Sequence, residues 1–294
     1  MNISNIFEQK KVVFSLEVFP PKKTSSIETI YSTLADIKSV PADFVSVTYG
    51  AGGTEIQKNK TCEIASLLKT EYNVEPLSHL TCISSLREEV KAQIEKLKEN
   101  DITNILALRG DENPDIEKKN DFRHASDLVR FIKEIDSEIN IAGACYPERH
   151  CESKSAAEDI KNLKIKVEAG VSHLITQLFL DNNAFYEFME KTQIANINVP
   201  VEAGIMPIIN KSQIERTVSM CGASLPHKFS AMVNRYSNDP EALKDAGIAY
   251  ATDQIIDLIA NGVRGIHLYT MNNIEVARRI YSNISNILTS VNKQ

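Results

Sequence analysis

Apolar residues gather along the chain into eight short runs, at residues 12–19, 44–48, 76–81, 102–109, 139–146, 173–179, 199–206 and 265–270. Between them lie longer amphipathic segments near 27–38, 55–69, 85–99, 124–136, 155–169, 183–192, 211–221 and 240–260, with a last one near 274–289. The runs are almost continuously apolar instead of alternating, the signature of strands covered on both faces. Eight such strands, each followed by a helix, predict an α/β fold of the (β/α)8 TIM-barrel type. Because the 240–260 segment exceeds an ordinary connector, an extra helix is expected between strands 7 and 8.

Punctuation falls where this scheme needs it. Ser155-Ala156-Ala157-Glu158 has capping-box spacing at a helix start, and Gly170 and Gly262 sit just past helix ends. With no composition break or linker, residues 1–294 are expected to form one domain. A doubly wound open sheet shares the alternation, but its Gly-x-Gly-x-x-Gly turn after the first strand is missing. Pro20-Pro21 stands there instead and cannot offer a row of backbone N–H groups to a pyrophosphate. Gly50-Ala51-Gly52-Gly53 has the wrong spacing for a phosphate loop and reads as a turn.

Composition narrows the function. Thirty-three basic residues against 39 acidic ones give a net charge of −6, and no Lys/Arg block stands out. With no Trp and few aromatics, neither a nucleic-acid surface nor an anionic-membrane surface is expected. No apolar run approaches the roughly 18 residues that span a bilayer, and residues 1–11 are polar without a hydrophobic signal core. The five cysteines (Cys62, Cys82, Cys145, Cys151, Cys221) form no Cys-x-x-Cys pair, which fits a reducing, cytoplasmic setting better than a disulfide frame or zinc site.

Candidate chemistry begins at Phe14-Ser15-Leu16-Glu17-Val18-Phe19-Pro20-Pro21, where one carboxylate interrupts an apolar strand. Glu17 either points into water from an edge strand or is buried and able to deliver a proton near neutral pH. In a barrel the working site lies at the C-terminal strand ends. Collected there are Glu17, Thr48 with Tyr49, His79 with Thr81, Arg109-Gly110-Asp111, Tyr146 with His150, Gln177, and Tyr269 with Thr270. Each has a plain structural role open to it. His79 reads as a core histidine, Arg109 and Asp111 as a local ion pair, and the Asp159, Asn162, Lys166 stripe as a solvated helix face. The functional alternative for the stripe is a wall along an extended ligand such as a dinucleotide, with Lys166 near a phosphate. A Schiff-base aldolase needs a lysine at a strand end, and none is present. A metal hydrolase could draw on His79, His150, Glu17 and Asp111, but no paired-histidine motif supports a metal site. A cofactor-bound redox enzyme fits this inventory best.

These residues resemble the methylenetetrahydrofolate reductase family. The likeness rests on residues 14–21, on Phe44-Val-Ser-Val-Thr-Tyr-Gly-Ala51, His79-Leu-Thr-Cys82 and Leu106-Ala-Leu-Arg-Gly-Asp111, and on Tyr146-Pro-Glu-Arg-His150. It continues through Lys161–Lys166, Ile175-Thr-Gln-Leu-Phe179, Gly204-Ile-Met-Pro207 and His267-Leu-Tyr-Thr270, in order along nearly the whole chain. The resemblance implies a flavin-bearing barrel that reduces 5,10-methylenetetrahydrofolate to 5-methyltetrahydrofolate with NADH or NADPH by ping-pong hydride transfer. Glu17 would be the general acid at folate N10, and Asp111 the carboxylate near pterin and flavin. Gln177, Gln213 and Tyr269 would meet the folate. Thr48, Tyr49, Ala51, His79, Arg109, Gly110, Asp111, Ala125, Tyr146, His150, Asp159, Asn162 and Lys166 would hold FAD. A homo-oligomer is implied as well. Three positions depart from the family pattern: Thr217 and His124 replace aromatic residues, and Asn273 replaces a basic residue at the folate tail. Thr217 motivates an alternative, a flavoprotein subunit that takes electrons from a protein partner.

Overall fold

The structure, a computed structural model, describes residues 1–20, 27–49, 55–111, 119–214 and 223–293. Eight parallel strands close into a barrel in sequence order, β1 pairing with both β2 and β8. They are β1 (Val13–Val18), β2 (Phe44–Val47), β3 (Pro76–Thr81), β4 (Asn104–Leu108), β5 (Asn140–Cys145), β6 (His173–Thr176), β7 (Val201–Ile205) and β8 (Gly265–Tyr269). Each lies inside or coincides with the run that predicted it. The expected barrel is therefore the observed fold.

Around it stand helices α1 (Ile3–Gln9), α2 (Ile27–Ile37), α3 (Glu55–Thr70), α4 (Arg87–Glu99), α5 (Ala125–Ile135), α6 (Ala156–Glu168) and α7 (Asn182–Ile194). Next come α8 (His227–Tyr236), α9 (Pro240–Ala260) and α10 (Ile274–Lys293). The extra helix between β7 and β8 is present, since both α8 and α9 lie there. Of the segment expected as a helix at 211–221, residues 211–214 are helical and the rest lies outside the described residues.

Two helices were not legible in the pattern. The polar composition of residues 1–11 hides helix α1, whose Ile3, Ile6 and Phe7 at i, i+3 and i+4 form one buried stripe. They plug the barrel's N-terminal end against Val13, Phe44, Leu77, Leu106, Ala142 and Ile175. Helix α8 follows Pro226 and buries Phe229 against Leu180 and Ile208.

Strand alternation divides the core. On β1, Phe14, Leu16 and Val18 face the surrounding helices, while Val13 joins the plug and Ser15 and Glu17 point into the barrel's bore. Local signals hold the ends in place. Ser155 Oγ accepts the Glu158 N–H (3.1 Å), and the Glu158 carboxylate turns back to the Lys154 N–H. Gly170 and Gly262 take left-handed φ of +124° and +82°. The four described cysteines are free, and Cys221 lies outside the described residues. Among the described residues, no helix is long and apolar enough to cross a membrane.

Candidate active site

Glu17 ends the inward face of β1, between Ser46 of β2 and Tyr269 of β8 in register. Its side chain is 17% exposed at the mouth. The apolar surroundings that its flanking sequence suggests belong to the other face of the strand, because period two sends Leu16 and Val18 outward. The carboxylate instead faces two imidazoles, with Oε2 3.6 Å from His79 Nε2 and 3.7 Å from His267 Nε2. The strand end is clamped from β8: Thr270 Oγ1 donates to the Glu17 carbonyl (2.6 Å), and Asn272 both accepts from and donates to the Phe19 backbone.

Below the acid the bore remains polar. His79 Nε2 bonds the Ser46 hydroxyl at 2.5 Å. Ser15 Oγ bridges His267 Nδ1 and Glu202 Oε2, each at 2.7 Å. His173, tilted against Phe7 and edge-on to Phe44, sits 3.9 Å from Glu202 Oε1. Burial drives His79 down to about 4 against the pull of Glu17, and His173 down to about 3, so both imidazoles are neutral at pH 7. Burial pushes Glu202 up to about 7, opposed by His267 and the Ser15 hydroxyl.

Tyr269 crosses the bore to donate to the Thr176 carbonyl at 2.7 Å, its ring standing edge-on to His267. Gln177 anchors its backbone on the Cys145 carbonyl, and its Oε1 accepts the Leu178 N–H, which leaves its amide hydrogens for a ligand. Gln213 accepts the Ile209 N–H at 2.8 Å.

A second cluster lies on the rim from β4 to α6. The Arg109 guanidinium grips Glu152 through two 2.5 Å bonds. Gly110 has a φ of +87°, and a Cβ there would lie 3.1 Å from Thr81 Cβ. Asp111 is exposed beside it, and its charge adds to burial in pushing the Tyr146 phenol up. The Tyr146 ring meets His150 edge-on at 4.6 Å. Asp159 accepts from the His150 N–H and the Ser153 hydroxyl. Lys166 reaches the Ala144 carbonyl, and burial lowers its pKa.

Not every expected residue turns toward this rim. The Tyr49 phenol is buried and donates to Gln93 of α4. Asn162 is exposed on α6, and Ala125 opens α5 directly after His124. The Thr48 carbonyl accepts from Thr61. Asn273 caps α10 by accepting the Val276 N–H. Ala51 and Thr217 lie outside the described residues. The sequence reading missed Ser15, Ser46, His173, Glu202 and His267. The available signal was a pair of polar residues two apart on β1 (Ser15, Glu17) and on β8 (His267, Tyr269), which the apolar outward residues obscured.

The family model described as methylenetetrahydrofolate reductase matches residues 2–285. A 5,10-methylenetetrahydrofolate reductase of Pectobacterium carotovorum is 36% identical over 92% of this chain and 90% of its own length. The Escherichia coli protein of the same name is 35% identical with the same coverage. Methylenetetrahydrofolate reductase (NADH) 1 of Arabidopsis thaliana is 33% identical, with the match spanning 48% of that longer protein. A solved Clostridium thermocellum protein, described as binding two copies of 5-methyl-5,6,7,8-tetrahydrofolic acid, superposes with a TM-score of 0.68. That match covers 99% of this chain and 100% of the other at 13% identity, a likeness of fold alone. Since the family match runs from the first helix past the last strand, the chain belongs to the methylenetetrahydrofolate reductase family.

Proposed function

We propose that this enzyme of methylenetetrahydrofolate reduction takes electrons from NADH or NADPH through bound FAD, with Glu17 as its general acid. The observation that carries the reading is the Glu17 carboxylate, held at the mouth between two imidazoles and walled by Tyr269. A carboxyl in that position can protonate N10 of a folate laid over the mouth and open the imidazolidine ring, and the family resemblance gives Asp111 the role of the carboxylate beside the emerging cation. Gln177, with amide hydrogens to spare, suits the pterin edge.

The donor set of the second cluster fits FAD. Lys166 and Arg109 bring two cations to one wall, and Lys166, whose charge burial disfavours, gains from a phosphate placed beside it. His150 and Asp159 add polar contacts along the same wall, and Gly110 lets the backbone turn close to the ligand. When bound, FAD supplies the two-electron relay between nicotinamide and folate. One mouth serving both substrates in turn implies ping-pong kinetics. Anaerobic mixing of the purified protein with NADH, then with methylenetetrahydrofolate, tests this reading. The flavin colour should bleach and then return. Colour unchanged by NADH or NADPH would favour a protein electron donor instead.

A further inference from the structure

Three buried side-chain atoms among the described residues lack a hydrogen-bond partner, namely His173 Nε2, Glu202 Oε1 and His267 Nε2. All three lie in the bore beneath Glu17, and buried polar groups are nearly always paired. Their placement is built into the barrel. A Cβ on Gly265 would come within 2.6 Å of Glu202 Cγ, so β8 makes room for that carboxyl by having no side chain there. From Glu202 the contacts run in one line toward the mouth: 2.7 Å to Ser15 Oγ, 2.7 Å to His267 Nδ1, and 3.7 Å from His267 Nε2 to Glu17.

We propose that Glu202 is a proton reservoir for Glu17, joined to it through the Ser15 hydroxyl and the His267 ring. This rests on Glu17 acting as the acid. In the transfer the Glu202 O–H bond breaks and its proton bonds to Ser15 Oγ. The original Ser15 hydroxyl hydrogen passes to His267 Nδ1, and the hydrogen on His267 Nε2 passes to the Glu17 carboxylate. One proton moves and no electron does. Glu202 ends as a carboxylate, Glu17 as a neutral acid, and the imidazole has exchanged tautomers. The 3.7 Å step is the longest, and such gaps shorten when a substrate closes the site. With the mouth empty, the same chain run backward refills Glu202 through Glu17, since Glu202 itself is shut off from water.

The surroundings of Glu202 suit the role. Ser15 faces it from β1, His173 from β6 and His267 from β8, while the charge of Asp43 ahead of β2 adds to burial. His79 on β3 faces the far end of the relay, at Glu17. His173 is neutral and does not stabilise a Glu202 carboxylate. Burial therefore raises the carboxyl's pKa, to about 7, which favours a proton held on Glu202. Without Glu202, Glu17 has no buried source to reload from as bulk protons grow scarce, so folate reduction should fail at a lower pH than in wild type.

The test uses the flavin-loaded enzyme and its two half-reactions, measured against pH. In Glu202→Gln the alkaline limb of folate reduction should move down by about one pH unit, a loss of about tenfold at pH 8. The rate at pH 6 and the nicotinamide half-reaction should stay within twofold of wild type. Wild type should also show a deuterium-sensitive infrared band of a protonated carboxyl that titrates near pH 7, is absent in Glu202→Gln and persists in Glu17→Gln. Should Glu202→Gln fail to fold, Ser15→Ala cuts the same relay and should shift the limb, with Ser15→Thr restoring it. An unshifted profile in these variants, an equal loss in both half-reactions, or no protonated carboxyl at pH 6 would overturn the proposal. If Glu17→Gln keeps full folate turnover, the acid assignment itself falls. If that variant is inactive while Glu202→Gln matches wild type, only the reservoir falls.

Discussion

The Tyr269 phenol reaches the Thr176 carbonyl across residue 204, where a Cβ would lie 2.3 Å from that carbonyl and 2.8 Å from the tyrosine ring. Glycine at 204 is therefore what lets β8 lay an aromatic wall beside Glu17. Gly204→Ala should cost about 1–3 kcal/mol of stability by overpacking and raise KM for methylenetetrahydrofolate through displacement of Tyr269. Urea denaturation with substrate kinetics checks both, and an unchanged KM would mean that the ring does not touch folate.

Gly110 carries a different constraint, since its φ of +87° is one that side chains resist. Gly110→Ala should cost about 1–2 kcal/mol and loosen flavin, because the turn stands between Arg109 and Asp111. The ratio of bound flavin to protein after dialysis measures this. Full retention would remove Gly110 from the cofactor wall.

Replacing Lys166 separates binding from folding. Its amine is held under β5 against the Ala144 carbonyl with its charge disfavoured. Lys166→Met keeps the packing volume and removes the charge, so the flavin-free protein should melt no lower than wild type. Flavin affinity should fall at least tenfold. Undiminished affinity in a titration would contradict a phosphate contact at this residue.

The bore also makes stability depend on pH. His79 and His173 fall from 6.5 in the unfolded chain to about 4 and about 3 when folded. The unfolded chain thus binds more protons, and their contribution, present above pH 6.5, is lost as pH falls toward 3. Glu202 rises from 4.5 to about 7, so its contribution is present below pH 4.5 and lost as pH rises through 7. Each group changes stability by up to about 1.4 kcal/mol per pH unit within its window. Between pH 6.5 and 4.5 the two histidines outweigh the single acid, and stability should drop on acidification. Urea midpoints across that range should fall less steeply in His173→Gln and more steeply in Glu202→Gln. A flat wild-type profile would contradict buried neutral imidazoles.

The barrel was legible because its outward strand residues are so uniformly apolar: Leu16, Val18, Val45 and Val47 carry the signal. The same uniformity masked the bore, since Ser15, Ser46, Glu202 and His267 each read alone as a polar interruption. Which strand faces share the bore follows only from the phase of all eight strands together. Helix α1 was missed because seven residues are too short for a propensity signal, and its order comes from tertiary burial of Ile3, Ile6 and Phe7. Glu17 and His79 were both legible as strand-end groups, but their pairing, and His267 as the second imidazole, were not, because these side chains come from strands 62 and 250 positions away.

The most direct test of the account is a Glu17→Gln enzyme carried through both half-reactions without oxygen. It should purify with flavin and be bleached by NADH at the wild-type rate. It should then reoxidise with methylenetetrahydrofolate about 10²–10⁴ times more slowly, the usual worth of a general acid. Reoxidation at the wild-type rate would show that the proton reaching folate does not come from this carboxyl.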